Sequence, residues 1–84
     1  MKSYDYVTRG TCSRMIRITL DDNDVIASVQ FVGGCSGNTQ GVARLVVGKP
    51  AREVIASLKG IRCGFKETSC PDQLATALEK MLAE

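Results

Sequence analysis

The first part of the chain places hydrophobic residues at every second position. Within residues 15–20, Ile16, Ile18 and Leu20 fall on one face of a strand, and the residues between them fall on the other. This is the period of a strand with one buried face. After the polar turn 21–24, the alternation resumes over residues 25–32, with Val25, Ala27, Val29 and Phe31 expected to face inward. A shorter, tyrosine-containing segment, residues 3–8, precedes them, so we predict three strands joined as an antiparallel meander.

The pattern changes to a helical period after Gly33-Gly34. A first helix is predicted to begin at Asn38 or Thr39 and to end at Gly48, and a second to run from Pro50 to Lys59, before Gly60. A third is predicted to open with Pro71 at its first helical position and Asp72 in its first turn. The apolar positions expected to face the core are, in chain order, Val42, Leu45, Val46, Val54, Ile55, Leu58, Leu74, Ala77, Leu78, Met81 and Leu82.

These elements predict one α+β domain over residues 1–84. It is a two-layer sandwich in which an antiparallel three-stranded sheet is followed by three helices that cover one face. The expected core combines residues of both layers: Ile16, Ile18, Val29, Phe31, Leu45, Leu58, Leu74 and Leu78.

Composition excludes several classes of partner. The 84 residues carry a net charge of +2, with two Tyr, two Phe and no Trp. Nucleic-acid binding is therefore not expected, because the chain has neither a basic stripe nor a stacking platform. No apolar run approaches the length of about 18 residues that a membrane helix needs. We expect a cytoplasmic protein with no membrane partner.

The candidate chemistry lies in four cysteines, Cys12, Cys35, Cys63 and Cys70, spaced C-x22-C-x27-C-x6-C in a chain without histidine. In a reducing cytoplasm such cysteines are metal ligands or reactive thiols more often than structural disulfides. Four thiolates suit a closed Zn²⁺ site, and all-sulfur ligation also suits an iron–sulfur cluster. Buried, inert cysteines are the plainer alternative. The absence of histidine argues against a Cys–His nucleophile.

A second candidate site is an anion or nucleotide contact. Residues 33–41 form a Gly/Ser/Asn-rich segment between a strand and a helix, where free N–H groups bind anions well. Asn38 and Thr39 would lie there, and Arg62 and Lys66 flank Cys63. The segment lacks the lysine and the spacing of a P-loop. The preferred interpretation of the segment is a tight turn that presents Cys35.

Residues 68–72, Thr-Ser-Cys-Pro-Asp, resemble the signature of the TSCPD domain family. The blocks at residues 34–38 and 61–64 resemble that family's other blocks, in its order and spacing. The resemblance implies a metal-binding role for the four cysteines. The domain is also similar to a C-terminal region of adenosylcobalamin-dependent ribonucleotide reductases, which implies a link to ribonucleoside-diphosphate reduction and DNA biosynthesis, with a reductase as a protein partner. A chain this short has no room for a cobalamin site, so we do not expect it to be a reductase alone.

The order of elements is also similar to U-type iron–sulfur scaffold proteins. The segment Phe31 to Cys35 precedes a helix as their FxxxGC-like segment does, and Cys70 opens the last helix. That similarity implies Cys35, Cys63 and Cys70 as cluster ligands. This chain departs from the pattern by lacking a histidine beside the late cysteine and by adding Cys12. A thiol protein that supplies electrons to a reductase through Cys63 and Cys70 is a third hypothesis. The oligomeric state stays open, a homodimer included.

Overall fold

The predicted order of strands and helices is confirmed. The computed structural model describes residues 1–8, 13–33, 36–62 and 68–83, without the side chains of residues 13 and 36–38. The elements are β1 (Lys2–Val7), β2 (Ser13–Leu20), β3 (Ile26–Gly33), α1 (Ser36–Val46), α2 (Ala51–Leu58) and α3 (Cys70–Ala83). The strands form one antiparallel sheet in the order β1-β2-β3, so the chain has the α+β architecture that the sequence predicts.

The central strand β2 supplies the buried face of the sheet. Ile16, Ile18 and Leu20 are fully buried, as their alternation predicts. Tyr6 lies opposite Ile16, and Tyr4 opposite Ile18, in the β1–β2 register. Both tyrosines are half-buried against the core. One face of the meander is therefore apolar, and the helices cover it.

A β-bulge in β3 changes the predicted alternation. Thr19 pairs with Ser28, but the next residue of β2, Leu20, pairs with Ile26, so Ala27 is an extra residue on β3. An extra residue reverses which residues face inward on the two sides of a bulge. Ile26 is accordingly buried and Ala27 exposed. The expectation that Ala27 faces inward is therefore wrong, whereas Val29 and Phe31, beyond the bulge, do pack against the core.

The last helix, α3, lies at the centre of the helical layer. Its predicted stripe is buried at Leu74, Ala77, Leu78 and Met81, and Leu82 packs partly against the core. Ala75 is buried as well, because α2 packs beside α3. No helix among the described residues has the length and apolarity to cross a membrane.

The prediction that Leu45 belongs to the core is wrong. Leu45 is 72% exposed, whereas its neighbour Val46 is 6% exposed. Successive helical residues are about 100° apart around the axis. The buried side of α1 contains Val46 and the polar residue Thr39, which is 4% exposed. Leu45 therefore points away from the sheet, although it follows Val42 by three positions.

Two glycines end the first two helices, as predicted. Gly48 and Gly60 have φ angles of 86° and 89°, in the left-handed region that glycine adopts without a Cβ penalty. The helix starts differ slightly from expectation. The first helix, α1, begins at Ser36, two or three residues earlier than predicted, and Pro71 is the second residue of α3.

Two leucines with opposite burial test this core. We expect Leu74→Ala to lower the free energy of unfolding by about 2–5 kcal/mol, because it leaves a cavity at a fully buried position. The same truncation at Leu45 should change it by less than about 0.5 kcal/mol. Urea unfolding under identical metal and reductant conditions measures both. Equal losses would show that Leu45 is packed in the folded protein.

Candidate metal and thiol site

Ser69 caps α3 and also holds the preceding connection. Its hydroxyl accepts the backbone N–H of Asp72 at 3.1 Å and donates to the carbonyl of Ile61 at 2.7 Å. The Ser69 carbonyl accepts the N–H of Gln73 at 2.9 Å, which closes the first helical turn. A side-chain cap satisfies a helical N–H that otherwise lacks a partner. The same buried serine thereby ties residue 61 to the start of α3.

The Asp72 carboxylate makes a second tie between the same two places. One oxygen accepts the N–H of Gly60 at 2.7 Å, and the other accepts the hydroxyl of Thr68. The Thr68 hydroxyl oxygen in turn accepts the side-chain amide N–H of Gln73 at 3.0 Å. We call the hydrogen-bonded group of Gly60, Ile61, Thr68, Ser69 and Asp72 the connection cluster. It joins the end of α2 to the beginning of α3.

The charge of Asp72 is stabilised within this cluster. Partial burial is the largest influence on its pKa and by itself would raise it. The hydrogen bonds from Thr68 and Gly60, with the positive charges of Lys59 and Arg62, outweigh that influence and hold the pKa of Asp72 below its ordinary value of 3.8. The carboxylate is therefore ionised at neutral pH, and its hydrogen bonds are charge-assisted.

A surface ion pair adds a third contact between the two helices. Lys59 Nζ lies 2.6 Å from Glu79 Oε1 and 3.4 Å from Thr76 Oγ1. The hydrogen bond with Glu79 raises the pKa of Lys59. Both side chains are about half exposed, and such pairs usually contribute less than about 1 kcal/mol. The connection cluster is therefore the stronger link.

Of the four cysteines, Cys70 lies within the described residues. It is the first residue of α3 and is 6% exposed. Pro71 follows within the first turn, where its missing N–H leaves no hydrogen bond unmade. Cys12, Cys35 and Cys63 lie outside the described residues.

The sheet register pairs two strand ends that lie close to two of those cysteines in the sequence. Ser13, the residue after Cys12, pairs with Gly33, which is two residues before Cys35. Arg14 covers this end of β3, since a Cβ built on Gly33 would lie 3.4 Å from its Nε. The start of β2 and the end of β3 are thus adjacent.

Two contacts set the direction of α3 along the sheet. Lys2 Nζ donates to the carbonyl of Met81 at 3.4 Å, so the C-terminal part of α3 lies at the start of β1. The N–H of Ala51 donates to the carbonyl of Asp24 at 2.9 Å. The second helix, α2, therefore starts at this same end of the sheet and runs away from it to the connection cluster. Cys70 accordingly lies toward the opposite end, where β2 begins and β3 ends.

The residues predicted for an anion contact do not share one place in the described part of the fold. Thr39 is buried on the sheet side of α1, and Arg62 is exposed beside the connection cluster. The Asn38 side chain and Lys66 lie outside the described residues. An anion or nucleotide role for these residues stays a prediction.

Within the described ranges, no group of three or more Cys, Asp or Glu side chains could hold a metal ion. Because those ranges contain a single one of the four cysteines, this finding does not bear on a site built from all four. Sequence reasoning did miss the partners of Thr68, Ser69 and Asp72. The Ser-x-x-Asp spacing indicates a cap, but nothing local indicates the bonds to Gly60 and Ile61.

The connection cluster can be tested with a carboxylate-to-amide change. We expect Asp72→Asn to lower the free energy of unfolding by about 1 kcal/mol at neutral pH, the difference between a charged and a neutral acceptor. Asp5→Asn, which removes an exposed carboxylate 3.1 Å from Arg17, is the matched control and should cost less than about 0.5 kcal/mol.

The effect of Asp72→Asn should also depend on pH. Because the pKa of Asp72 is lowered in the folded chain, its ionised form adds stability that is complete above the ordinary value of 3.8 and is lost as pH falls through the native pKa. The difference between the two proteins should therefore shrink in acid, in urea unfolding with chelator and reductant present. A difference that persists below that range would assign the loss to packing instead of charge.

Comparison with known proteins supports one family assignment. The model of the TSCPD domain family matches residues 1–82. Neither the curated proteins nor the solved structures contain a match to the chain. The family model covers all six described elements and ends one residue before the last described position. The chain therefore belongs to the TSCPD domain family.

Proposed function

We propose that this chain is a small metal-binding accessory module in which Cys12, Cys35, Cys63 and Cys70 hold one metal ion, Zn²⁺. The proposal is supported by the placement of the described residues next to these cysteines. Ser13 and Gly33 pair at one end of the sheet, and α3 begins toward that end. The observation that carries the proposal is that the start of β2, the end of β3 and the start of α3 lie toward one end of the sheet, each with a cysteine in it or within two residues of it.

The connection cluster supplies the link to the remaining cysteine. Ile61 is hydrogen-bonded to Ser69. In the sequence, Cys63 comes two residues after Ile61, and Cys70 comes directly after Ser69. This hydrogen bond closes the distance between residues 61 and 69. We infer that this closure keeps Cys63 within reach of Cys70.

The donor set fits Zn²⁺. Sulfur ligands select Zn²⁺, Cu⁺ and iron–sulfur clusters over hard cations. Four protein thiolates would leave no open coordination position, so the metal would be structural. Two helix N-termini, at Ser36 and Cys70, lie next to cysteines in the chain and would offset part of the negative charge of the thiolates.

The proposed partner is a ribonucleotide reductase of the adenosylcobalamin-dependent type. The support is the similarity of the TSCPD domain to a C-terminal region of those enzymes. In this role the chain acts on the reductase as an accessory part and catalyses no reduction alone. A tie to DNA biosynthesis follows from that partner.

Metal analysis tests the proposed site directly. We expect protein purified from cells to contain about one zinc per chain and to show four thiols by titration only after chelation and unfolding. Substitution with Co²⁺ should give the intense thiolate-to-metal absorption of four sulfur ligands. Cys→Ser at each of the four positions should weaken that absorption and lower stability, and Ala56→Ser, at an exposed site on α2, should change neither.

Three outcomes would contradict the zinc proposal. Four freely titrating thiols in metal-free, folded protein would leave the cysteines without a metal. Reconstitution with iron and sulfide that yields a coloured, transferable cluster would favour the scaffold hypothesis, because thiolates hold Zn²⁺ more tightly than Fe²⁺. Reversible oxidation of Cys63 and Cys70 to a disulfide, with the fold intact, would favour the thiol redox hypothesis.

The proposed partner is tested by complementation. A cobalamin-dependent reductase core that lacks its C-terminal region is supplied with nucleotide, reductant and the purified chain. We expect the chain to restore turnover, the Cys70→Ser variant to fail, and the chain alone to be inactive. Turnover by the chain alone would refute the accessory role, and no effect on the core would refute this partner.

A further inference from the structure

A groove lies between β3 and α1, and neither Cys70 nor any residue of the connection cluster lines it. It is lined by residues 29–31 of β3 and by Thr39, Gln40, Ala43 and Arg44 of α1, and its volume is about 310 Å³. We call it the β3–α1 groove. It is open to solvent on one side, and Val29 and Phe31, both half-buried, form its apolar wall.

One wall of this groove is the outer edge of the sheet. In the described part of the chain, β3 is the last strand of the order β1-β2-β3. The edge is covered where β3 begins: the N–H of Ile26 donates to the carbonyl of Lys49 at 3.0 Å, and the carbonyl of Ile26 accepts the N–H of Gly48 at 2.8 Å. Beyond Ile26 no described strand pairs with this edge. An unpaired edge offers backbone donors and acceptors to an added strand.

The other wall carries a positive charge that has no counter-ion among the described residues. Arg17 and Lys59 each lie within 3.1 Å of a carboxylate, whereas no described acidic group pairs with Arg44. Gln40 and Arg44 are four residues apart, so they share one face of α1, and both line the groove. The groove is thus apolar along the strand and basic and polar along the helix.

The charges of β3 and α1 favour a segment of another protein over a second copy of this chain as the occupant of the groove. The sequences of β3 and α1 contain no Asp or Glu. A second copy that paired through the same surface would bring a second arginine and no carboxylate. An extended segment of another protein with acidic side chains would meet Arg44 with the opposite charge.

We propose that the β3–α1 groove binds an extended acidic peptide segment of a partner protein. The segment adds a strand to the free part of the β3 edge, sets alternate apolar side chains on Val29 and Phe31, and places a carboxylate against Arg44. This inference does not depend on a metal at the cysteines, so it can fail or succeed independently of the proposed function.

The test uses a seven-residue peptide of alternating valine and glutamate, capped at both ends, titrated into the ¹⁵N-labelled chain. We expect saturable shifts of amide resonances confined to β3 and α1, and about tenfold weaker binding after Arg44→Glu, since one ion pair becomes a repulsion. Arg52→Glu, on the exposed side of α2, is the matched charge reversal and should leave the affinity unchanged. Arg44→Gln serves as a second variant if Arg44→Glu lowers the melting temperature.

Two further peptides separate the backbone and charge contributions. The same peptide with alternate backbone nitrogens methylated should lose binding, because it cannot pair with a strand edge. A valine–lysine peptide should bind poorly to the native chain and better to the Arg44→Glu variant. Equal binding of the acidic and basic peptides, shifts centred outside β3 and α1, or no saturation up to about 1 mM would each overturn the proposal. So would a dimer through β3 that the acidic peptide does not dissociate.

Discussion

Side-chain hydrogen bonds hold the beginning of α3 to the end of α2, and the placement of Cys70 depends on them. Ser69 contacts Ile61 and Asp72 contacts Gly60, each at 2.7 Å. The ion pair of Lys59 with Glu79 and the packing of α2 against α3 also join the two helices, but these two bonds lie at the junction itself. Because both bonds come from residues within two positions of Cys70, they fix the start of the helix and Cys70 relative to the end of α2.

The elements that sequence reasoning predicts well are those whose neighbours along the chain determine them. The alternation at Ile16, Ile18 and Leu20 and the stripe of α3 both reflect a regular period over several residues, and both are buried as expected. The ends of the first two helices at Gly48 and Gly60 depend on a left-handed backbone conformation, which glycine adopts without a Cβ penalty.

The failures occur where tertiary contacts override the local pattern. The bulge at Ala27 cannot be predicted from the local sequence, because Ile26 and Ala27 are both apolar and either one could face inward. The pairing with β2 decides which of them does. Leu45 fits the helical period, but the sheet lies on the side of α1 that holds Thr39 and Val46. In the candidate site, the cysteines are evident from residue type, whereas one partner of Asp72, Gly60, lies 12 residues away, and no periodicity encodes that contact.

The five-letter signature of the family divides into residues that shape a helix start and a residue that this helix start presents. Thr68, Ser69 and Asp72 form the hydrogen bonds, Pro71 occupies a helical first turn without needing an N–H, and Cys70 supplies the thiol at the first helical position. A chain that kept the other four letters and replaced the cysteine would keep the groups that form these hydrogen bonds and would lose the thiol. The signature is thus, for the most part, a rule for shaping a helix start, and its presence in a sequence indicates a local fold before it indicates any chemistry.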